Sequence, residues 1–317
     1  MADGTSIPGK LVSPLFGLVN RVRLGFPGHY FQGTGGIGDD LMCTAVFREL
    51  KKRSTRRIAM ATQHPGLFEK NIDVDKVIAH PHPRTARWLQ KGLPFKRLGY
   101  AAYDPVRDAD EPPAENVIIK LLRLAQVDGE VELRPYVFLT PAELSAGKLA
   151  REQIVMQSSG MSAPYPMRNK EWYPDRFQSV CAELSADVQV IQIGSANDPK
   201  LERALDLRGK TSLRQSAAIM ANSLVFIGLV GGLMHLARAV DCRSVIVYGG
   251  REKPTQSGYV TNKNLYSQVR CAPCWLRNPC DFDRKCMDMI TAEQVIAATA
   301  EQISKYGTLL DVQTAQL

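Results

Sequence analysis

The sequence contains no apolar run that approaches the roughly 20 residues a helix needs to span a bilayer. Its first residues, Met1-Ala-Asp-Gly-Thr, lack the basic and apolar regions of a secretory signal, so we expect a cytoplasmic protein. Internal repeats and low-complexity tracts are also missing, which excludes a solenoid and a fibre. A content of 44% hydrophobic and 23% charged residues is ordinary for a globular chain.

Acidic residues are too few to balance the basic ones, because 40 Lys and Arg stand against 32 Asp and Glu, a net charge of +8. This excess favours anionic partners such as nucleotides, phosphorylated glycans or an anionic membrane face. No basic stretch interleaved with aromatic residues occurs, so nucleic acid is not an expected partner. Segment 11–26 mixes apolar residues with two arginines, which is compatible with peripheral contact at the inner membrane; a docked N-terminal arm is the other interpretation.

Strand-like runs alternate with helix-length segments, which predicts an α/β fold with parallel sheets. The rhythm breaks near residues 130–150 and then restarts. We therefore expect two Rossmann-like domains, 1–145 and 146–290, with a ligand cleft between them and a C-terminal helix and tail over 291–317. The predicted strands are 30–32, 58–61, 117–119, 154–157, 188–193, 224–227 and 245–248. The predicted helices are 39–52, 174–184, 201–207, 213–222 and 291–305.

Two glycine-rich segments connect a predicted strand to a predicted helix. In the first, four glycines lead to Asp39 and Asp40 at a helix start, where the helix dipole favours a carboxylate. No P-loop lysine follows, and N-capping by either aspartate is the alternative interpretation. In the second, Gly231 and Gly232 let the backbone pass close to a ligand before a helix begins at Leu233. Such a helix start offers unpaired N–H groups to an anion, although an ordinary strand-to-helix turn has the same pattern.

A further anion site is predicted where Ser158 and Ser159 follow a strand and Lys170 precedes a helix. Hydroxyls and free N–H groups bind phosphate oxygens, and a lysine adds a mobile charge. A solvated loop lysine is the alternative for Lys170. Trp172 is expected to pack rather than to stack on a base, and His235, in the first turn of its helix, is either a phosphate contact or a packed residue.

Four segments, in this order, resemble glycosyltransferase family 9, the ADP-heptose:lipopolysaccharide heptosyltransferases. They are Gly38-Asp39, Asn169-Lys-Glu-Trp172, the stretch 228–237 and the closing segment 290–295. The resemblance covers roughly residues 28–305, and its most specific part is Gly-Leu-Met-His-Leu-Ala followed by Val-Ile-Val-Tyr-Gly. It implies a GT-B architecture, with an acceptor-binding N-terminal half, a nucleotide-sugar-binding C-terminal half and inversion at the anomeric carbon.

The resemblance also implies roles for individual residues. Asp39 matches the family's general base, which takes a proton from the acceptor hydroxyl. Asp198 matches an acid that binds ribose, and Thr211 and Leu213 border the base. The positions that match the donor diphosphate site, or lie beside it, are Gly38, Ser158, Ser159, Lys170, Gly231, Gly232, Leu233 and His235. Two positions depart from the family, because Val230 replaces an acid and Gly231 a threonine or serine, which puts the identity of the donor in doubt.

Four of the seven cysteines form a C-x2-C-x5-C-x5-C cluster, made of Cys271, Cys274, Cys280 and Cys286. Cytosolic thiols stay reduced, so the spacing predicts thiolate coordination of zinc or iron rather than disulfides. Four ligands close the coordination sphere, which makes the site structural, and no catalytic metal is expected. Some protein-modifying heptosyltransferases carry an iron-binding cysteine motif with different spacing. The remaining cysteines are expected to be buried.

Together these patterns predict a cytoplasmic, inverting GT-B glycosyltransferase that moves a heptose-like sugar from an ADP-heptose-like donor. The acceptor is a glycan, as in lipopolysaccharide biosynthesis, a lipid-linked sugar or a protein. Two alternatives stay open. One is a GT-B nucleotide-sugar epimerase, which releases a free altered sugar. The other is a metal-stabilised binding protein that has lost its donor contacts, and Val230 is its main support.

Overall fold

The computed structural model describes residues 27–79 and 94–314, with side chains up to residue 305. Strands and helices alternate along the described residues, as the sequence predicts. The strands are β1 (His29–Gln32), β2 (Ile58–Thr62), β3 (Lys76–Ala79), β4 (Lys96–Arg97), β5 (Tyr103–Asp104), β6 (Ala109–Asp110), β7 (Gln153–Met156), β8 (Gln189–Gln192), β9 (Leu205–Asp206), β10 (Phe226–Leu229), β11 (Ser244–Gly249) and β12 (Asn262–Tyr266). The helices are α1 (Ile37–Arg53), α2 (Val117–Leu124), α3 (Pro141–Ala146), α4 (Pro174–Leu184), α5 (Leu213–Ala221), α6 (Gly232–Ala239), α7 (Pro254–Ser257), α8 (Lys285–Asp288) and α9 (Ala292–Thr314), with 3-10 turns at Pro65–Phe68 and Arg168–Lys170.

Two parallel sheets organise the molecule, and each comes from one half of the chain. The first has the strand order β3-β2-β1-β4, and the second has the order β12-β11-β10-β7-β8-β9. Parallel strands end at the same edge of a sheet, so the loops after β1 and β2, and those after β7, β10 and β11, gather at two edges. The α/β fold with parallel sheets is thereby confirmed, while the limits at residues 145 and 290 stay a prediction.

The inner strands are apolar because both of their faces are covered. Every residue of β2, β7, β10 and β11 is buried, and the strands read as near-continuous runs of Ile, Val, Met and Ala. Helix α9 packs against α4 and β11 and so covers the second sheet. The helix begins close to its predicted start, where Thr291 and Gln294 exchange capping hydrogen bonds, but it continues past its predicted end at residue 305.

Two predicted elements are wrong. Residues 117–119, predicted as a strand from their β-branched run, begin helix α2, whose buried residues Val117, Ile118, Leu121 and Leu122 recur with helical spacing. The Asn116 side chain accepts a hydrogen bond from the Ile118 N–H at 2.9 Å and caps this helix. Segment 201–207, predicted as a helix, instead turns through a left-handed Arg203 and adds the short strand β9 beside β8.

The described residues contain no helix that is both long and apolar enough to cross a membrane. Segment 11–26, for which membrane contact was considered, lies outside the described residues. The two halves meet along the N-terminal ends of α1 and α6, and the hairpin β5–β6 from the first half lies against residues 275–278 of the second. The candidate site is built at these meeting points.

Candidate active site

Asp39 lies in the first turn of α1, after β1 and its glycine-rich turn. The N-cap residue is Gly36, and neither aspartate caps the helix with its side chain. The Asp39 carboxylate accepts hydrogen bonds from the Thr34 hydroxyl and the Gly36 N–H. Burial raises the pKa of Asp39, the Thr34 hydrogen bond opposes the rise, and the nearby Asp40 charge adds to it. A half-buried carboxyl with a raised pKa is suited to accept a proton.

Asp40 is fully buried beside Asp39 and points the other way, into the first sheet. Its Oδ2 accepts from the Thr62 hydroxyl at 2.5 Å and lies 2.9 Å from His64 Nδ1. A Cβ on Gly33 would come within 1.9 Å of Asp40 Oδ1, so this glycine makes room for the carboxylate. Asp40 therefore ties the end of β2 to α1 and holds the turn that presents Asp39.

The start of α6 meets the start of α1 at close range. A Cβ on Gly38 would lie 2.8 Å from His235 Cδ2, and a Cβ on Gly232 would lie 3.1 Å from the Ile37 side chain. Gly231 faces open space, and its φ of 169° is extended backbone that any residue adopts. Gly232 therefore allows the two helices to approach, and the expectation that both glycines border a ligand stays a prediction. Leu233, beside them, is half-buried in the first turn of α6.

His235 is buried between the two halves. Its Nδ1 lies 2.5 Å from the Tyr259 hydroxyl, and the two rings meet edge to face. Burial, together with the nearby Lys170 charge, lowers the pKa of His235 to about 4. The imidazole is therefore neutral near pH 7, so it offers a hydrogen bond rather than a charge to a phosphate.

Lys170 is not a solvated loop residue, since it is largely buried and its Nζ lies 2.7 Å from Glu252 Oε1. Burial lowers the pKa of Lys170, and the neighbouring Glu252 carboxylate opposes that change. Although burial acts against it, the Lys170 and Arg251 charges hold the pKa of Glu252 at about 2. The pair is therefore ionised near neutral pH. The Lys170 charge also acts on Asp39 and His235, which puts all three in one electrostatic environment.

The two serines predicted to bind phosphate are already hydrogen-bonded within the chain. The Ser158 hydroxyl donates to the Pro199 carbonyl at 2.6 Å and accepts from Gln192 at 2.9 Å. The Ser159 hydroxyl donates to Glu171 Oε2 at 2.7 Å, and the Gly160 N–H donates to Glu171 Oε1 at 2.7 Å. A carboxylate of the chain itself thus accepts the Ser159 and Gly160 donors of this loop, and the phosphate site stays a prediction.

The residues predicted for the nucleoside lie on the loops that follow β8 and β9. Asp198 is buried, and its carboxylate accepts from the Ser195 N–H at 2.9 Å and the Ser162 hydroxyl at 3.0 Å. Thr211 Oγ1 lies 2.9 Å from the Ser216 hydroxyl, and Leu213 opens helix α5 and packs on the core. These loops stand at the same edge of the second sheet as α6. The Asp198 carboxylate, however, is hydrogen-bonded to its own loop and to the loop after β7.

Three site residues escape prediction from the sequence. Glu252 and Arg251 follow β11, where the carboxyl end of a central parallel strand is a usual place for functional residues. Tyr100 lies in the same environment, since burial raises the pKa of its phenol and the charges of Asp39 and Glu252 add to the rise. The signal that could have found Glu252 and Arg251 is their position after an apolar strand. Nothing in the local sequence distinguishes Tyr100.

The four clustered cysteines line one small cavity of about 50 Å³ together with Arg251 and Arg284. All seven cysteines are free thiols, and Cys43, Cys181 and Cys242 are buried as expected. Among the described residues, no group of three or more His, Cys, Asp or Glu side chains is already arranged as a metal site. The loop therefore brings the four sulfurs to one place without closing them into a coordination shell.

Trp172 packs as predicted, with its Nε1–H donating to the Ile290 carbonyl at 3.0 Å and its ring edge-on to Phe177. The architecture is thus two parallel sheets whose covering helices meet, with Asp39 on one side and Lys170, His235 and Glu252 on the other. This arrangement defines a GT-B protein.

Comparison with known proteins gives a family match for part of the chain. Residues 138–284 match the family described as glycosyltransferase family 9 (heptosyltransferase). The structure of E. coli ADP-heptose lps heptosyltransferase II is similar, with a TM-score of 0.64, 16% identity and coverage of 88% of this chain and 99% of that one. The iron-containing dodecameric glycosyltransferase TibC from enterotoxigenic E. coli is similar with a TM-score of 0.69, 17% identity and coverage of 88% and 77%.

A complex of TibC with ADP-D-beta-D-heptose matches with a TM-score of 0.67 and 17% identity, over 88% of this chain and 77% of that one. No curated protein sequence matches the chain significantly. The resemblance predicted from the sequence is confirmed over residues 138–284, which match glycosyltransferase family 9, and the solved structures confirm the GT-B fold. Family and fold together support glycosyltransferase activity. Asp39 lies outside the matched segment, so its role is taken up below.

Proposed function

We propose that the protein is an inverting glycosyltransferase that moves a heptose-like sugar from a nucleoside diphosphate to a glycan, lipid-linked or protein acceptor. The observation that carries the proposal is the contact between the starts of α1 and α6. Two positive helix ends meet there, beside the Lys170 ammonium and a half-buried carboxyl. This combination suits a reaction in which a base acts on one side of an anionic leaving group.

In the proposed step, an acceptor hydroxyl oxygen attacks the anomeric carbon of the donor sugar. The new C–O bond forms as the bond from that carbon to the diphosphate oxygen breaks, on the opposite face of the sugar. Asp39 takes the hydroxyl proton, and the diphosphate leaves with the electron pair of the broken bond. The raised pKa of Asp39 favours proton transfer, because it narrows the gap to the hydroxyl's own pKa.

The leaving diphosphate would be stabilised by Lys170 and the free N–H groups at the start of α6. An ADP-heptose-like donor is favoured by the matching TibC complex with ADP-D-beta-D-heptose. Val230 is buried in the core and offers no carboxylate to a ribose or sugar hydroxyl. Gly231 leaves open space where a larger side chain would stand. We therefore expect donor affinity to depend on backbone contacts and Lys170.

The test is transfer by the Asp39→Asn variant, with the exposed Asp187→Asn as the matched control. The amide keeps the shape of the carboxyl but cannot accept the proton, so we expect transfer to fall by about 100-fold or more while nucleotide affinity stays within a few fold. Calorimetry with ADP, GDP, UDP and CDP, followed by transfer assays with the matching nucleotide sugars, identifies the donor. Wild-type transfer by Asp39→Asn would remove the assigned base.

Two other outcomes would replace the proposal. Release of a free, altered sugar without any acceptor would identify an epimerase. Absence of binding to every nucleoside diphosphate and nucleotide sugar would identify a binding protein that kept the fold. The internal hydrogen bonds of Ser158 and Ser159 and the apolar Val230 are the observations that favour the second of these.

We further propose that the four clustered cysteines hold a structural zinc or iron ion. The support is their common cavity and the chemistry of four thiols, which suits either metal. Elemental analysis should find close to one equivalent in the wild type and in Cys181→Ser, whose thiol is buried elsewhere, and far less in Cys274→Ser and Cys286→Ser. Less than about a tenth of an equivalent in the wild type would contradict the site.

For location, we propose the cytoplasm, with peripheral contact at the inner membrane through segment 11–26. Lipopolysaccharide biosynthesis is one setting in which such an enzyme would act on a lipid-linked acceptor. The mixture of apolar residues and arginines in that segment supports the membrane contact. Sedimentation of the protein with vesicles containing anionic lipid, compared with a variant lacking residues 1–26, tests it.

A further inference from the structure

Lys170 belongs to a chain of buried charges that reaches the opposite half of the molecule. Its partner Glu252 also accepts from Arg251 Nη1 at 2.9 Å and from the Ser257 hydroxyl at 2.6 Å. Arg251 is 1% exposed, and its second terminal nitrogen pairs with Asp110. The order of contacts is therefore Asp110, Arg251, Glu252, Lys170, and we call these four residues the Asp110 relay.

Asp110 is the member that comes from the N-terminal half. It lies at the end of the hairpin β5–β6, and its backbone N–H donates to the Trp275 carbonyl at 3.0 Å. Its other carboxylate oxygen accepts from Arg277 at 2.6 Å and 3.1 Å. The neighbouring Ala109 forms an antiparallel bridge with Leu276. The hairpin is thus fixed on the cysteine loop, and Asp110 has two arginines as partners.

The backbone that carries Lys170 rests on the same part of the cysteine loop. The Asn169 amide donates to the Leu276 carbonyl at 3.2 Å and to the Pro279 carbonyl at 2.8 Å. The Asn169 N–H donates to the Arg277 carbonyl at 2.9 Å. The main chain beside Lys170 is therefore held by residues that touch Asp110 or its hairpin, and the Lys170 side chain is linked to Asp110 through Glu252 and Arg251.

Five charged groups form this cluster. Lys170, Arg251 and Arg277 are cations, while Asp110 and Glu252 are carboxylates. The other groups that face Lys170 are the neutral His235 and the Asp39 carboxyl, which balances the third cation when it is ionised. Without Asp110, Arg251 would have Glu252 as its remaining carboxylate partner and would compete with Lys170 for it.

We propose that Asp110 is a positioning residue for the donor lysine: it engages Arg251, so that Glu252 keeps Lys170 directed at the diphosphate when the two halves are together. Donor affinity then depends on the contact between the halves, although Asp110 touches no substrate. This inference rests on the proposed function for its ligand, but the placement of Lys170 is measurable without one.

The experiment compares Asp110→Asn with Asp108→Asn in the full-length protein. Asp108 lies on the same hairpin and bonds Tyr103 at 2.9 Å and Asn278 at 2.8 Å, but it does not touch Arg251. The first readout is the rate at which a lysine-selective acylating reagent labels Lys170, followed by mass spectrometry. The second is the dissociation constant for ADP, and the third is the split of transfer kinetics between KM and kcat.

We expect Asp110→Asn to raise Lys170 labelling by about tenfold and to weaken ADP binding by a similar factor, with KM for the donor rising more than kcat falls. Asp108→Asn should leave all three near wild type. Asp110→Glu, which restores the charge, should recover part of the loss. If Asp110→Asn does not fold, Arg251→Lys, which cannot bridge two carboxylates, carries the same expectation.

Unchanged labelling and unchanged ADP affinity in Asp110→Asn would overturn the positioning role, as would equal changes in Asp108→Asn. A wild type that binds no nucleoside diphosphate would instead refute the proposed function. Lys170 labelling would still decide the relay in that case. The two failures are therefore distinguishable.

Discussion

Asp39 is held in a setting that disfavours its charge, and this has a consequence for stability. A carboxyl whose pKa is raised by folding binds protons more tightly in the folded than in the unfolded chain. Its favourable contribution is present at low pH and is lost as the pH rises through the folded pKa. At neutral pH the ionised Asp39 therefore lowers the free energy of unfolding, as functional residues often do.

We predict that Asp39→Asn raises Tm by a few °C near pH 7, since the amide cannot ionise. The gain should shrink as the pH falls through the raised pKa of Asp39, because the carboxyl itself then becomes protonated. Thermal unfolding of both proteins between about pH 4 and pH 8 checks this. Asp187→Asn, at an exposed position, should show no such trend. A variant less stable than the wild type at every pH would contradict the assignment of a destabilising carboxylate.

The sequence predicts single site residues better than it predicts their partners. Asp39 and His235 stand at helix starts and Lys170 in a recognisable segment, so family resemblance and local pattern are enough to select them. The partner of Lys170 is Glu252, 82 positions further along the chain, and no local pattern connects the two. Pairings of this kind depend on how strands are ordered in a sheet, which a single sequence does not state.

The contact between α1 and α6 gives a prediction about two glycines. Alanine at Gly38 would place a methyl group 2.8 Å from the His235 ring, so the ring or the helix must move. We expect Gly38→Ala to cost about 1–3 kcal/mol of unfolding free energy, as overpacking in cores does. Gly231→Ala is the matched control, because its methyl group meets nothing within 4 Å and its backbone is extended.

Urea unfolding of the two variants measures the difference. A Gly38→Ala variant as stable as Gly231→Ala would show that the helices do not depend on this close approach. Loss of activity in Gly38→Ala with unchanged stability would point to the geometry of Asp39, one residue away, rather than to packing.

Helices and strands are predicted well where apolar runs are long and fully buried, as in β7, β10 and β11. Prediction fails for α2, because its β-branched start resembles a strand and its buried face appears only over the full eight residues. Prediction of a helix fails for residues 201–207 because Arg203 adopts a left-handed backbone conformation, which the amino-acid composition does not reveal.

Arg214 also joins the two halves, through partners different from those of the Asp110 relay. It comes from α5 in the second half, yet it donates to the Gly66 carbonyl at 3.2 Å, the Glu69 carbonyl at 3.1 Å and the Phe138 carbonyl at 2.8 Å. The Arg214 guanidinium also donates two parallel hydrogen bonds to the Glu143 carboxylate, at 2.6 Å and 2.7 Å. This guanidinium holds the pKa of Glu143 at about 2. The Arg214 side chain is thus hydrogen-bonded to the first half, to the segment before helix α3 and to α3 itself.

We therefore predict that Arg214→Ala lowers the unfolding free energy by about 2–3 kcal/mol and separates the unfolding of the two halves. Two probes check this: tryptophan fluorescence, which includes the buried Trp172 and Trp275 of the second half, and far-ultraviolet circular dichroism, which follows both halves. The two probes should give one common urea midpoint in the wild type and two different midpoints in the variant. Arg123→Ala, which removes an exposed ion pair with Glu115, should change stability by less than about 0.5 kcal/mol and keep one transition. Coincident midpoints in Arg214→Ala would mean that the contacts around α1, α6 and the Asp110 relay are sufficient to unfold the halves together.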